Sequence, residues 1–301
     1  MSIEKINVLS LFDGIGGAKV ALDNLSKNYT YYSSEINKFA IRVLNQNHSN
    51  IIHLGDVYNI KASNLPKIDL LIGGSPCQDL AKAGKRAGLH GNRSMLYFEY
   101  RRLLDECKPK YFLLENVGSM SNYAKKTISL DLGVQPTIID SKWFSAQTRK
   151  RYYWTNISIP NNPTPYADLR VIDIIDSSTP FTKDLFGKEI SNLIISNSNM
   201  CIKKPNKQVA IKARPNRRPY PFFPDERIFS VYGKALALTT SYGQTPWYEH
   251  NFLYRKLTPL EAERLQTFPD NYTCGLSLTQ RFKLLGNSFT VKVIEEILKG
   301  I

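Results

Sequence analysis

The chain predicts a doubly wound, mostly parallel α/β sheet, with a smaller region of different character inserted late in the sequence. Two observations carry this. Short runs rich in leucine and β-branched residues alternate with segments of helical apolar spacing, the pattern of strands joined by crossover helices. The same runs end on glycines and acids, the residues that open sheets of this kind carry at their ligand-binding edge.

In order, Ile6 to Phe12 reads as a buried strand stopped by Asp13-Gly14. Gly14-Ile15-Gly16-Gly17 follows, and Ala18 to Leu22 can open a helix. A strand, a glycine turn and a helix start bring backbone amides to a nucleotide-like ligand, although the same glycines suit a plain tight turn. Tyr29 to Ser34 is a second strand, ending in Glu35, and Lys38 to Asn47 a helix. Ile51 to Leu54 is a third strand before Gly55-Asp56, and Asp69 to Gly73 a fourth. An acid just past the second strand suits ribose hydroxyls, and one past the third could accept from an adenine amine. As single residues, such acids more often serve as helix caps or solvated loop residues. Ser94 to Leu104 has helical spacing, and Tyr111 to Leu114 is a strand leading into Glu115-Asn116-Val117. Pro136 to Ile139 and Tyr152 to Ile157 add two more strands.

From Ser158 prolines, asparagines and serines multiply, and helical periodicity fades. Lys203 to Arg218 holds seven basic residues and no acid, and Tyr220-Pro221-Phe222-Phe223 follows. Basic residues beside aromatics suit a surface that grips a nucleic-acid backbone and reads bases. Ile228 to Thr240 reads as a hairpin. Thr258-Pro259 is a helix start, a cap followed by proline, and Gln280 to Leu298 gives two short helices separated by Gly286-Asn287-Ser288.

Composition narrows the function. The 301 residues are 42% hydrophobic, with 17 tyrosines, 14 phenylalanines and 3 tryptophans, which is ample for a core. The formal charge of +14 and pI near 9.5 favour a polyanionic partner. Cys77, Cys107, Cys201 and Cys274 form no CxxC pair, which argues against zinc and against a disulfide framework; no metal is expected. The N-terminus lacks a signal peptide's apolar region, and no apolar run is long enough to span a bilayer. These features predict a cytoplasmic protein with reduced thiols and no membrane partner.

At Gly73-Gly74-Ser75-Pro76-Cys77-Gln78 a cysteine follows a buried strand. Pro76-Cys77-Gln78 together with Glu115-Asn116-Val117 resembles the DNA (cytosine-5) methyltransferases of the type II bacterial or phage style. Phe12-Asp13-Gly14-Ile15-Gly16-Gly17, Gln147-Thr148-Arg149-Lys150-Arg151, Arg255 through Asp270, and Gly286-Asn287-Ser288 match further motifs of that family in order. The resemblance implies a Rossmann-like methyltransferase sheet formed by residues 1–157 and 255–301, with a target-recognition region at 158–254.

The resemblance also implies roles. Cys77 is the nucleophile that adds to cytosine carbon-6, turning carbon-5 into an enamine carbon able to accept a methyl cation equivalent. Glu115 engages ring nitrogen 3 and the exocyclic amine, Arg151 the carbonyl oxygen, and Arg149 orders the site. S-adenosylmethionine, leaving as S-adenosylhomocysteine, is expected against Phe12, Gly14, Gly16, Glu35, Ile36, Asp56, Val57, Pro76, Leu96, Asn287 and Ser288. The target base must be flipped out of the duplex. Gln78, Lys82, Lys85, Arg86, Arg93 and Gln147, with Lys212, Arg214, Arg217 and Arg218, are the residues expected to contact DNA. The stretch from Asp79 to Arg93 reads as a lid over the flipped base. A monomer acting on double-stranded DNA is expected in a bacterial or phage-infected cell, and a cognate restriction endonuclease is among the partners the resemblance allows. Two other readings are a tRNA-methylating relative, whose Cys-Phe-Thr signature is absent, and a DNA-binding relative that has lost catalysis.

Overall fold

A computed structural model describes residues 5–75, 95–159, 168–184, 228–251 and 253–301. By internal contacts they fall into two units: Met1–Asp140, Lys150–Pro163 and Ser288–Ile301 in one, and Ser141–Arg149 and Thr164–Asn287 in the other.

The first unit is built on a seven-stranded sheet. Its strands are β1 (Ile6–Leu11), β2 (Tyr29–Ser34), β3 (Ile51–His53), β4 (Leu70–Gly74), β5 (Tyr111–Val117), β6 (Thr137–Asp140) and β7 (Lys150–Thr155), in the spatial order β3-β2-β1-β4-β5-β7-β6. The five from β3 to β5 pair in parallel, and β7 runs antiparallel to both β5 and β6. The fold class expected of the sequence is therefore present, and the order reverses between β1 and β4. At such a switch point crossover connections leave to opposite sides, which opens a crevice at the strands' carboxyl ends. Leu11 of β1 pairs with Gly73 of β4, and Gly74 with Glu115 of β5, so the carboxyl ends of these three strands lie along one edge.

The central strands are apolar on both faces because helices cover both. Val8, Leu9 and Leu11 are fully buried, as are Leu70, Leu71 and Ile72. Leu9, Leu11 and Leu71 join Tyr97, Tyr100 and Leu103 of α3 (Met95–Cys107), with Ala124 and Ile128 of α4 (Asn122–Leu132). On the other helices, α1 (Gly17–Asn24) packs against α7 (Val291–Leu298), and α2 (Lys38–Asn47) is capped by the Asn37 side chain. Helix α4 was not anticipated, although Ser121 caps its start and Gly133, at φ 68°, ends it.

The second unit carries a four-stranded sheet, β8 (Lys183–Asp184), β11 (Leu253–Lys256), β10 (Trp247–His250) and β9 (Ile228–Ser230), in that spatial order. Its helices are α5 (Pro259–Leu265) and α6 (Leu278–Asn287). Thr258 and Glu261 form a capping box at α5. The Glu261 carboxylate, fully buried, also takes both terminal nitrogens of Arg255, at 2.7 and 2.6 Å.

Two sequence expectations are corrected. Ile228 to Thr240 is not a hairpin: Ile228–Ser230 pairs in parallel with Trp247–Glu249, and Ala235 instead bonds to the backbone of Ala146. The apolar residues there are satisfied by burial against the chain around Gln147 rather than by a returning strand. Gly286-Asn287 does not separate two helices either, since α6 runs through Asn287 and the break comes at residues 288–290. Gly286 is tolerated in the helix because a Cβ there would lie 2.4 Å from the Thr239 carbonyl oxygen. Among the described residues, no helix is long and apolar enough to cross a membrane.

Candidate active site

At the end of β1 the backbone turns through two left-handed residues, Phe12 at φ 55° and Gly14 at φ 59°, with a third at Gly16, φ 78°. Gly14 and Gly16 adopt this readily; for Phe12 it is strained, so something must hold it. The restraint is Asp13. Its amide donates to the Ser34 carbonyl and its carbonyl accepts from Gly16. Its buried carboxylate accepts from Ser10 Oγ, Tyr31 Oη and Ser33 Oγ, each at 2.7 Å. Burial pushes the Asp13 carboxyl up to about 6; the three hydroxyl donors pull it back, and the charge of Glu35 adds to the rise. The Tyr31 phenol is likewise driven well above its ordinary range, first by burial and then by the Asp13 charge.

Glu35, beyond β2, braces the turn from the side. One oxygen accepts from the Gly14 amide at 2.7 Å; the other accepts from Ile36 and Asn37, at 2.9 and 2.8 Å. Ile36 itself is 71% exposed. Asp56, beyond β3, accepts from the Tyr58 amide at 3.1 Å and so caps a short turn. Arg102 of α3 donates to the carbonyls of Val57 and Ile60, which fixes that turn against the helix. Val57 lies in the buried cluster, with Phe12 and Leu96 packed against it. A Cβ placed on Gly14 or Gly55 would meet nothing within 4 Å, so a ligand has room at both turns.

At the end of β4, Ser75 is buried and held by Asn116, whose amide nitrogen donates to Ser75 Oγ at 3.1 Å. On β5, Glu115 faces Arg151 of β7: Oε1 and Nε are 2.9 Å apart, with both side chains largely buried. The strand pairing explains the meeting. Val117 stands opposite Arg151 and Glu115 opposite Tyr153, so the arginine reaches diagonally along one face. Gly74 lies beside this pair, since a Cβ on it would be 3.2 Å from Glu115 Oε2 and 3.0 Å from the Phe289 ring.

The sequence profile of the C-5 cytosine-specific DNA methylases matches residues 6–301. The chain belongs to that family. The C-5 cytosine-specific DNA methylase family is a family of enzymes, and this member is of the DNA (cytosine-5-)-methyltransferase class. It is 30% identical to the type II methyltransferase M1.ScrFI of Lactococcus lactis subsp. cremoris, over 97% of this chain and 77% of that protein. It is 27% identical to the type II methyltransferase M.HhaI of Haemophilus parahaemolyticus, over 98% and 94%. The solved structure of the Entamoeba histolytica methyltransferase EhMeth shares the fold, with a TM-score of 0.73 at 17% identity over 98% of this chain and 97% of that one.

For this C-5 cytosine-specific DNA methylase, the first unit brings Phe12, Gly14, Gly16, Glu35, Ile36, Asp56, Val57 and Leu96 to the carboxyl ends of the sheet, with Glu115 and Arg151 in contact. Ser288 is buried there, its hydroxyl donating to the Phe289 carbonyl. In the second unit, Asn287 is exposed at the end of α6. Gln147 is fully buried. Its amide nitrogen donates to the Leu265 carbonyl and to Gln266 Oε1, and its oxygen accepts from Leu238. Arg149 donates to the carbonyls of Leu238 and Gly286, at 3.3 and 3.1 Å. Pro76, Cys77, Gln78, Lys82, Lys85, Arg86, Arg93, Lys212, Arg214, Arg217 and Arg218 lie outside the described residues.

Asp13, Asn116, Arg102 and Phe289 were not singled out from the sequence. Asp13 had a signal: Ser10 sits in an apolar strand, and Tyr31 and Ser33 share one face of the next at period two. Polar side chains on buried strand faces need a common partner.

Proposed function

We propose that the protein transfers a methyl group from S-adenosylmethionine to carbon-5 of a cytosine flipped out of a specific double-stranded DNA sequence, through a Cys77 adduct. The observation that carries this reading is the convergence of four strand ends, those of β2, β1, β4 and β5, around the switch point. The glycine turn with Glu35 stands at β1 and β2, Ser75 at β4 leads two residues on to Cys77, and the Glu115–Arg151 pair closes β5.

The residues present fit the cofactor. Glu35 and Asp56 offer carboxylates to a ribose and an adenine amine, and Phe12, Ile36, Val57 and Leu96 offer apolar surface. The open space at Gly14 and Gly55 leaves room for close approach. Bound there, S-adenosylmethionine supplies an electrophilic methyl group and leaves as S-adenosylhomocysteine.

The chain's own residues supply the rest. The Cys77 thiolate bonds to carbon-6, and the electron pair of the ring double bond becomes available at carbon-5 for the methyl group. Glu115, facing ring nitrogen 3 and the exocyclic amine, stabilises the charge as that bond forms. Arg151, 2.9 Å from Glu115, would reach the adjacent carbonyl oxygen. Loss of the carbon-5 proton then expels the thiolate and restores the aromatic ring. Gln147 and Arg149 tie the segment before β7 to α5 and α6.

Residues 1–157 and 255–301 would form the catalytic part, and 158–254 would read the target with Lys212, Arg214, Arg217 and Arg218. Gln78, Lys82, Lys85, Arg86 and Arg93 would meet phosphates around the extruded base. The protein would act as a monomer on cytoplasmic DNA.

Incubation with methyl-labelled S-adenosylmethionine and either duplex DNA or tRNA tests the reading. Label is expected in DNA, and bisulfite sequencing of an exposed plasmid should return one target sequence. Label in tRNA alone, or in neither across varied sequences, overturns it. Cys77→Ala should abolish transfer while cofactor and DNA still bind.

A further inference from the structure

We propose that Asp13 is a positioning residue of the cofactor site, whose ionised carboxylate holds the glycine turn and Glu35 in the conformation that binds the nucleoside. The inference rests on the cofactor reading above and goes beyond it, because the Asp13 carboxyl is buried beneath the turn and bonded to Ser10, Tyr31 and Ser33.

The geometry makes the coupling specific. The carboxylate accepts three hydroxyls at once, one from β1 and two from β2. The Asp13 backbone is tied to Ser34 on one side and Gly16 on the other. Phe12 before it and Gly14 after it both have positive φ, and the Gly14 amide is what aims Glu35. A neutral carboxyl must donate a proton, so at least one of the three hydroxyls has to turn from donor to acceptor. The restraint on the strained Phe12 weakens, and with it the alignment of Gly14 and Glu35.

The groups around Asp13 leave it as the titrating member of the cluster. Ser10, Tyr31 and Ser33 stay neutral in the range of interest, and β4 on the far side of β1 contributes the apolar Leu70, Leu71 and Ile72. Glu35 past β2 is the near charge, and it opposes ionisation. Beyond the Tyr31 ring stands Tyr29, whose hydroxyl accepts from Lys19 of α1 at 2.7 Å and donates to Asp23, with His48 past α2 3.5 Å from Asp23. Burial holding the Asp13 carboxyl near 6 puts its proton uptake just below neutral pH.

Equilibrium binding of S-adenosylhomocysteine tests this without catalysis, since the product's sulfur is uncharged and its amino group titrates higher. Wild-type affinity should fall about tenfold from pH 7.5 to 5.5, the size of a modest coupling between two sites. Asp13→Asn should bind weakly and evenly across that range, yet melt at a higher temperature than wild type at pH 7.5. A residue that merely stabilised the fold would lower both. Tyr31→Phe removes one donor to the ionised form, so it should move the midpoint of the wild-type profile upward by roughly one unit. If Asp13→Asn does not fold, Tyr31→Phe decides alone. Wild-type affinity and pH profile retained in Asp13→Asn, or an unmoved midpoint in Tyr31→Phe, overturns the proposal. Absence of binding by the wild type at every pH overturns the cofactor reading itself.

Discussion

Arg151 Nε lies 2.9 Å from Glu115 Oε1, on neighbouring antiparallel strands, with both side chains largely withdrawn from water. A base presented to one of these groups is therefore presented to the other. Glu115→Gln should lower the methylation rate by about 10²–10⁴-fold, the range for a positioned proton-transfer group. Arg151→Ala should cost about 10²–10³-fold, as for loss of one donor to a developing charge. Because the pair acts together, the double variant should be little worse than the poorer single one. Single-turnover rates on a duplex of the target sequence would measure this, and full additivity would separate the two roles.

Gln147 and Arg149 belong to the same motif and do something else. Each bonds to backbone far along the chain: Gln147 to Leu238 and Leu265, Arg149 to Leu238 and Gly286. Gln147→Ala and Arg149→Ala each strand buried partners, and each should cost about 2–4 kcal/mol of stability. Arg149→Lys keeps the charge without the fork and should recover only part of that. Urea unfolding reads the loss. The salt slope of DNA binding, in contrast, should not change with Gln147→Ala, because a buried amide neutralises no phosphate.

These two pairs mark how far the sequence speaks. The sheet, the acids past β2 and β3, and Glu115 near the end of β5 were readable, because buried strands are apolar runs of fixed length and their ends carry fixed residue types. The Glu115–Arg151 contact was not, since it depends on β7 running antiparallel to β5, a pairing that no local pattern specifies. The failed hairpin at Ile228 to Thr240 has the same origin: β9 finds its partner at Trp247, beyond the turn that seemed to close it. Gln147 was legible only as a motif residue expected at the DNA; its three side-chain bonds go to distant backbone and side-chain groups, which only the fold brings near.

Glycines at close approaches separate catalytic from structural effects. In Gly74→Ala the new methyl would press on the Glu115 carboxylate and the Phe289 ring, both side chains that can shift by a few tenths of an ångström. The fold should lose about 1 kcal/mol, while displacement of Glu115 slows methyl transfer more than tenfold. In Gly286→Ala the methyl would meet the Thr239 carbonyl at 2.4 Å, which is backbone and cannot yield cheaply. Destabilisation of about 3 kcal/mol or more is expected there, from overpacking. Thermal melts set beside single-turnover rates would show the two variants failing in opposite order.

The acid side of the stability profile should hold two opposing slopes. Asp13 has its folded carboxyl raised from 3.8 to about 6, first by burial, so between those values the folded state binds the extra proton. Stability from this group therefore falls as pH rises from about 4 to 6, by roughly 3 kcal/mol for a fully enclosed carboxyl shifted this far. His48 is the reverse: burial, then the Lys19 charge, press it from 6.5 down to about 4 despite Asp23. Here the unfolded state binds the extra proton, so stability rises with pH between about 4 and 6.5. In the wild type the two slopes offset one another over most of that interval. Asp13→Asn removes the falling slope and should make stability climb steeply with pH, whereas His48→Gln should leave it falling. Urea midpoints at pH 4.5, 5.5 and 6.5 would test both; parallel profiles for the two variants would show that these groups do not dominate the acid response.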